Sequence, residues 1–438
     1  MTPWAHASEC RDRGVTSRLE TPHFGASALR VAVCADFPEE RWPSMDRVAA
    51  GLIDCLARHH GDVRATPVVP PFTRRAGRLA GIGNRPGAFA VDRMLNRLWD
   101  YPRHVKRLAD SYDIFHVIDH SYSQLVHLLP ADRTVVTCHD LDTFRCLLDP
   151  AAEHRSGMFK AMARHILNGL KRAARVTCDT ASIRDELIAR GIVPPERAVV
   201  AAVGVGPEYS CRPDPESDRR AARLIGAPAG ATVLLHVGSA APRKRLDVLI
   251  DIFAELVRVV PDLHLVRVGE PFMDPHAKIL RDLGIDGRVS VLGYLNDRTL
   301  AAVYRCAALL LLPSDREGFG LPLVEAMACG TPAVASDLPV LREVGASAAE
   351  FCPPGLVSIW AARVLALLEE RRRDPDRWLA RRHGGVVRAG QFTWQDFAWR
   401  VAQVYYDTRA ALGFPMLQQA QNARQAQQAP ELCGGGVA

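Results

Sequence analysis

Two glutamates, Glu317 and Glu325, stand eight positions apart in the stretch PSDREGFGLPLVEAMACGTPAVAS, residues 313–336. It reads as a buried strand ending at Pro313, a glycine-rich loop holding Glu317, Gly318 and Gly320, and a helix starting near Pro322. Proline suits a first helical position, where its missing amide is not needed, and Gly330 suits the helix's end. The amides around Phe319, Gly320 and Leu321, at the head of so short a helix, form an anion site built from backbone. Helical side chains lean toward the N-terminus, which lets Glu325 reach the cavity that Glu317 lines. Carboxylates would repel a phosphate they touched, but they accept hydrogen bonds from hydroxyl groups on either side of a diphosphate. A nucleotide sugar fits that pattern.

A second stretch, LLHVGSAAPRKRLDVLIDIFAEL from Leu234, ends a strand at Gly238 and passes through Ser239 to Arg243, Lys244 and Arg245. An amphipathic helix follows, with Leu246, Leu249, Ile250, Phe253 and Leu256 on one face. Cations at a helix start oppose its dipole, so a bound anion accounts for them better than solvation does. There they would neutralise a diphosphate leaving group, a task that needs no metal. In VVTCHDLDTF, from Val135, a strand ends at His139; taken alone, a buried histidine there reads as structural. DHSYSQLVHLLP, from Asp119, presents His120 and Tyr122 after another strand end, as pocket lining or as part of a helix cap.

These residues need strands and helices to hold them. Short β-branched runs alternate with helix-period segments, the pattern of βα units around parallel sheets. Strand candidates begin at Leu29, Ala65, Asp113, Arg133, Arg175 and Ala198, then at Ala231, Leu263, Val289, Ala308, Pro332 and Ala349. The fold class is α/β, two Rossmann-like domains whose strand ends point at one shared cleft.

Residues 313–336 resemble the E-x7-E motif of retaining glycosyltransferases with the GT-B fold, the GT4 type or glycosyl transferases group 1. That family includes bacterial mannosyl- and glucosyltransferases of envelope and exopolysaccharide assembly. The resemblance spans roughly residues 29–410 and is strongest over 231–336. It implies transfer of a hexosyl group, with retention, from a UDP- or GDP-sugar to a hydroxyl on a glycan or lipid-linked acceptor. It implies no cofactor, no required metal and no nucleic acid. Arg243, Lys244 and the amides of Phe319–Leu321 would hold the diphosphate beside Gly238, Ser239, Gly318 and Gly320. Glu325 would take the ribose and Glu317 the transferred sugar. In the family an arginine usually follows the glycine directly, with a lysine five residues later. Here Ser239 holds the first position and Lys244 the second, which makes Arg243 the candidate for the arginine's role. His139 would contact the donor sugar, and His120, Tyr122, Asp140 and Trp42 would lie on the acceptor side. Asp140 and Asp142 also form the D-x-D that holds a metal in GT-A enzymes, although here it falls in the acceptor half.

On this reading 29–206 is the acceptor domain, 207–392 the nucleotide-sugar domain, and 393–413 a helix crossing back to the first. Residues 1–28 and 414–438 read as disordered tails. A nucleotide-sugar 2-epimerase on the same fold and a non-catalytic sugar-nucleotide binder are the alternative readings; loss of one acid would mark the latter, and both acids are present.

The composition agrees with two soluble cores: 438 residues, 48% hydrophobic and 24% charged, with a net charge of +6 carried almost wholly by arginine. Arginine's fork suits phosphate or acidic surfaces more than bulk nucleic-acid coating. The sequence has no apolar run of membrane-spanning length and no secretory signal, and its scattered cysteines read as reduced core thiols, so a cytoplasmic protein is expected. Residues 71–107 carry nine basic residues against Asp92 and Asp100, with Leu95, Leu98 and Trp99 at near-helical spacing. That segment is either a face for an anionic membrane or a solvated helix with its core side.

Overall fold

The computed structural model describes residues 28–78, 86–151 and 153–413. Apart from residue 28, the expected tails lie outside these residues, as does Arg85 of the basic segment. Each of the twelve expected runs holds a strand. The first six are β1 (Leu29–Cys34), β2 (Val63–Val68), β3 (Ile114–Val117), β4 (Thr134–Cys138), β5 (Arg175–Cys178) and β6 (Ala198–Val200). The second six are β7 (Thr232–Gly238), β8 (Leu263–Gly269), β9 (Val289–Leu292), β10 (Leu309–Leu312), β11 (Ala333–Ser336) and β12 (Glu350–Cys352). They form two six-stranded sheets, and every pairing is parallel. Helices cover both faces of such sheets, which is why β10 is four leucines buried throughout. β2 lies at an edge, where Pro67 is tolerated because no neighbour needs its amide.

The chain divides into two units, one built from residues up to Asp179, Ile183–Ala201 and Gln395 onward, the other from Ala202–Trp394 with Thr180–Ser182. The sequence reading sets that boundary at 206/207. The second sheet has the order β12-β11-β10-β7-β8-β9, the Rossmann arrangement, and its strand order reverses between β7 and β10. The first has the order β2-β1-β3-β4-β5-β6, which is flavodoxin-like rather than Rossmann, and reverses between β1 and β3. The core of the second unit gathers Leu249, Phe253, Leu311 and Trp360. The last helix, Trp394–Ala411, belongs almost entirely to the first unit and buries Phe397, Val401, Val404 and Tyr405 there. Its Tyr405 hydroxyl lies 2.6 Å from His116 Nδ1 on β3. Among the described residues no helix is long and apolar enough to cross a membrane.

Candidate functional site

The loops that follow β7 and β10, residues 239–245 and 313–320, meet at the reversal point of the second sheet, where open α/β sheets bind ligands. Gly269, ending β8, has φ +120°, and a Cβ there would lie 2.1 Å from the Gly238 carbonyl oxygen; glycine alone lets the two strand ends close up. The Asp315 amide donates to the Arg243 carbonyl at 2.8 Å and ties the two loops together.

Lys244 Nζ donates to Glu317 Oε1 at 2.6 Å, and the Ser314 hydroxyl donates to the same oxygen at 2.7 Å. Arg243 reaches Glu317 Oε2 at 3.4 Å and the Arg316 carbonyl at 3.1 Å. The Glu317 side chain is 5% exposed. Burial opposes its ionisation, but Lys244, then Arg243, and the hydrogen bonds from Lys244 and Ser314 outweigh burial and hold the carboxyl below its ordinary range. Arg245, the third cation, turns away from this group. Its backbone is left-handed, with φ +49°, and it pairs with Asp247 and Asp315 at 2.9 Å each.

The short helix is Leu321–Ala328, and Gly320 before it has φ +90°, where a Cβ would strike Leu341 at 2.6 Å. Phe319 is buried edge-on against Phe392. Glu325 is also buried, and its Oε2 accepts from the Tyr304 hydroxyl at 2.8 Å. The structure thus brings Gly238, Arg243, Lys244 and Glu317 together, and it braces Glu325 on an interior tyrosine.

The sequence reading missed Arg267, whose signal is a charge inside the apolar strand LHLVRVG. It is fully buried on β8 beside His236 of β7. Its Nη1 donates to the Gly238 carbonyl at 3.3 Å and to His236 Nδ1 at 3.1 Å, while its Nε and Nη2 have no hydrogen-bond partner among the described residues. Burial lowers its pKa only to about 10, so it remains a cation at neutral pH. Burial, with Arg267 and Lys244 nearby, drives His236 well below its ordinary range, which leaves a neutral ring able to accept.

In the first unit an aspartate follows each of β1, β3, β4 and β5 within two residues: Asp36, Asp119, Asp140 and Asp179. That pattern was available to the sequence reading, which took only Asp140 from it. His139 is buried between Asp179, 2.7 Å from Nδ1, and the Ile118 carbonyl, 2.8 Å from Nε2. Both partners are acceptors, so both ring nitrogens carry hydrogen. Burial opposes the charge, yet Asp179, with Asp119 and Ile118 adding to it, raises the pKa to about 9. Asp119 accepts from the Ser121 amide at 2.8 Å, capping a 3-10 helix, His120–His127. Tyr122 is buried, and its hydroxyl donates to Glu40 at 2.7 Å. Arg97 spans the Tyr122 ring, 4.0 Å from its centre, and pairs with Glu40 at 3.2 Å. It therefore leaves the basic face to which its sequence position assigns it. Asp140 accepts from the Asp142 amide at 2.9 Å, so the D-x-D is closed into a turn. Trp42 lies half-exposed at the start of the Pro43–His59 helix and joins none of these hydrogen bonds.

This architecture, two parallel α/β units with polar groups gathered at each reversal point, defines a GT-B protein. Sucrose-phosphate synthase from Thermosynechococcus elongatus superposes with a TM-score of 0.65 at 18% identity, over 88% of this chain and 100% of that one. HepE from Anabaena, solved with UDP and glucose, gives 0.64 at 18% identity, over 86% and 99%. Residues 219–381 match the family Glycosyl transferases group 1, and residues 45–209 match Glycosyltransferase Family 4. Both matches are to glycosyltransferase families, one in each half of the chain. It is 34% identical over 249 residues to D-inositol 3-phosphate glycosyltransferase of Thermobispora bispora, covering 53% of this chain and 56% of that protein. It is 26% identical over 278 residues to O-antigen chain mannosyltransferase B of Escherichia coli, covering 63% and 70%. The chain spans about half the length of the inositol phosphate relatives it matches.

Proposed function

We propose that the chain is a retaining hexosyltransferase that moves a sugar from a UDP- or GDP-linked donor to a hydroxyl acceptor in bacterial glycan or glycolipid assembly. The observation that carries this is the cation set at the β7/β10 reversal. Lys244 and Arg243 both meet the buried carboxylate of Glu317, and buried Arg267, bonded to the Gly238 carbonyl, has no carboxylate within ion-pair distance among the described residues. A donor diphosphate is an anion that such a cation set can hold as charge builds on it. Glu317 stays ionised, so it accepts hydrogen bonds from sugar hydroxyls and cannot serve as an acid. Charge building on the leaving diphosphate is met by side chains, without a metal.

The test is turnover of UDP- and GDP-hexoses with glycan acceptors, following nucleoside diphosphate release and the anomeric configuration of the product. Lys244→Ala and Glu317→Ala should each slow transfer by roughly 100-fold or more, and chelators should leave it unchanged. Near-normal rates in either folded variant sink the site assignment. An epimer formed from donor alone would establish the epimerase reading instead, and donor binding without turnover the non-catalytic one.

A membrane partner is the second part of the proposal, carried by residues 86–107. The Pro86–Leu95 helix and the π-helical turn Asn96–Asp100 bury polar Asp92 and Asn96. Asp92 accepts from the amides of Arg75, Ala76 and Gly77, and Asn96 pairs with Thr73. Phe89, Val91, Met94, Leu95, Leu98 and Trp99 are exposed, Trp99 at 57%. The segment wears its apolar residues outside, among the exposed cations Arg93, Arg103, Lys106 and Arg107, which suits an anionic leaflet.

A further inference from the structure

Two buried groups at the reversal point of the first sheet make no hydrogen bond to any of the described residues. The Asp36 carboxyl, following β1, is 3% exposed, and neither of its oxygens receives a hydrogen bond from any N–H or O–H of the described residues. Burial, then the neighbouring Asp119 carboxylate following β3, pushes its pKa well above the ordinary range. His120 is 4% exposed, and neither ring nitrogen has a hydrogen-bond partner, although Asp119 lies 3.3 Å and Asp140 3.5 Å away. The cations around them are committed. Arg97 is held by Glu40 and Ser121, and His139 by Asp179 and Ile118. Five carboxyl groups, Asp36, Glu40, Asp119, Asp140 and Asp179, thus gather around the two groups, while Arg97 and His139 already hold protein acceptors.

From this geometry we infer that the acceptor ring entering the first unit is an uncharged polyol, bound through its hydroxyls by Asp36 and His120, and that a phosphomonoester at this place is excluded. The inference rests on the glycosyltransferase reading and narrows its acceptor. A hydroxyl both donates and accepts, which matches a carboxyl beside an imidazole. A phosphate dianion only accepts, and it would meet a cluster in which carboxyl groups outnumber Arg97 and His139. Asp140, whose side chain is 24% exposed, marks the open side. The relatives named for an inositol phosphate acceptor therefore do not predict the acceptor of this chain.

The test uses the full chain with UDP present, and measures binding by thermal shift and transfer from UDP-sugar. Inositol is compared with inositol 3-phosphate, and glucose and mannose with their phosphomonoesters. The expected result is that at least one neutral ring stabilises the protein and that its phosphomonoester binds and reacts on the order of 100-fold more weakly. Asp36→Asn and His120→Ala should weaken that ring about tenfold, with the UDP-induced shift retained as the sign of a folded chain. Equal or tighter binding of a phosphomonoester, or failure of every neutral ring to shift the midpoint, overturns the inference. An unmodified chain that neither UDP nor GDP shifts would instead strike the glycosyltransferase reading beneath it.

Discussion

His139 shows how partners fix the chemistry of a residue. A carboxylate on one ring nitrogen and a carbonyl on the other leave no lone pair for a proton, so this imidazole contributes charge and cannot act as a base. Its pKa, raised from 6.5 to about 9, sets a sign for stability. The folded state binds the proton more tightly than the unfolded chain, so the stabilisation is fully present below pH 6.5 and is lost as pH rises through about 9. Urea midpoints measured across that window should fall, and Asp179→Asn should flatten the fall by removing the main source of the raised pKa. An undiminished slope in that variant would show that the proton is held elsewhere. The aspartates after the strands were visible in the sequence, but what Asp179 and Asp36 face was not, because only the sheet order brings His139 and Asp119 beside them. Glu317 and Lys244 were legible because each sits in a loop whose glycines and prolines announce a strand-to-helix turn.

At the scale of elements, strands were legible because parallel sheets bury both faces and so demand unbroken apolar runs. Strand order was not, since the flavodoxin-like and Rossmann arrangements use the same βα alternation and differ only in which edge a crossover returns to. The 86–107 segment shows a further limit. Leu95, Leu98 and Trp99 at helical spacing read equally well as a core stripe, and only the burial of Asp92 and Asn96, satisfied by the 73–77 backbone, decides that the apolar side faces out. Because these side chains keep much of their surface in water, Leu98→Ser with Trp99→Ser should lower the unfolding midpoint far less than loss of a core side chain. The pair should weaken sedimentation with phosphatidylglycerol vesicles by about tenfold or more, since each offers exposed apolar area for the lipid to cover. Equal sedimentation with neutral phosphatidylcholine vesicles, or no effect of the double variant, would remove the membrane from the account.

For the whole molecule, connectivity sets what can fail separately. The second unit is inserted into the first, whose structure is completed only by residues after Gln395. Phe397, Val401 and Tyr405 are fully buried there, and at roughly 2–5 kcal/mol for each large core side chain their joint loss would rival the stability of an ordinary domain. A single atom gives the milder and more informative test. The Tyr405 hydroxyl meets His116 Nδ1, Thr137 meets Nε2 at 2.7 Å, and burial pushes the histidine down to about 3, so the ring is neutral and needs both partners. Tyr405→Phe leaves one buried ring nitrogen unpaired and should cost about 1–3 kcal/mol, confined to unfolding of the first unit. UDP, if it binds at the β7/β10 reversal, should raise the midpoint of the second unit in that variant as it does in the unaltered chain. Urea titrations with and without UDP separate the two effects. A variant whose UDP-dependent shift disappears would show that the units do not unfold as distinct bodies, and that donor affinity depends on the C-terminal helix as well as on the loops that carry Lys244 and Glu317.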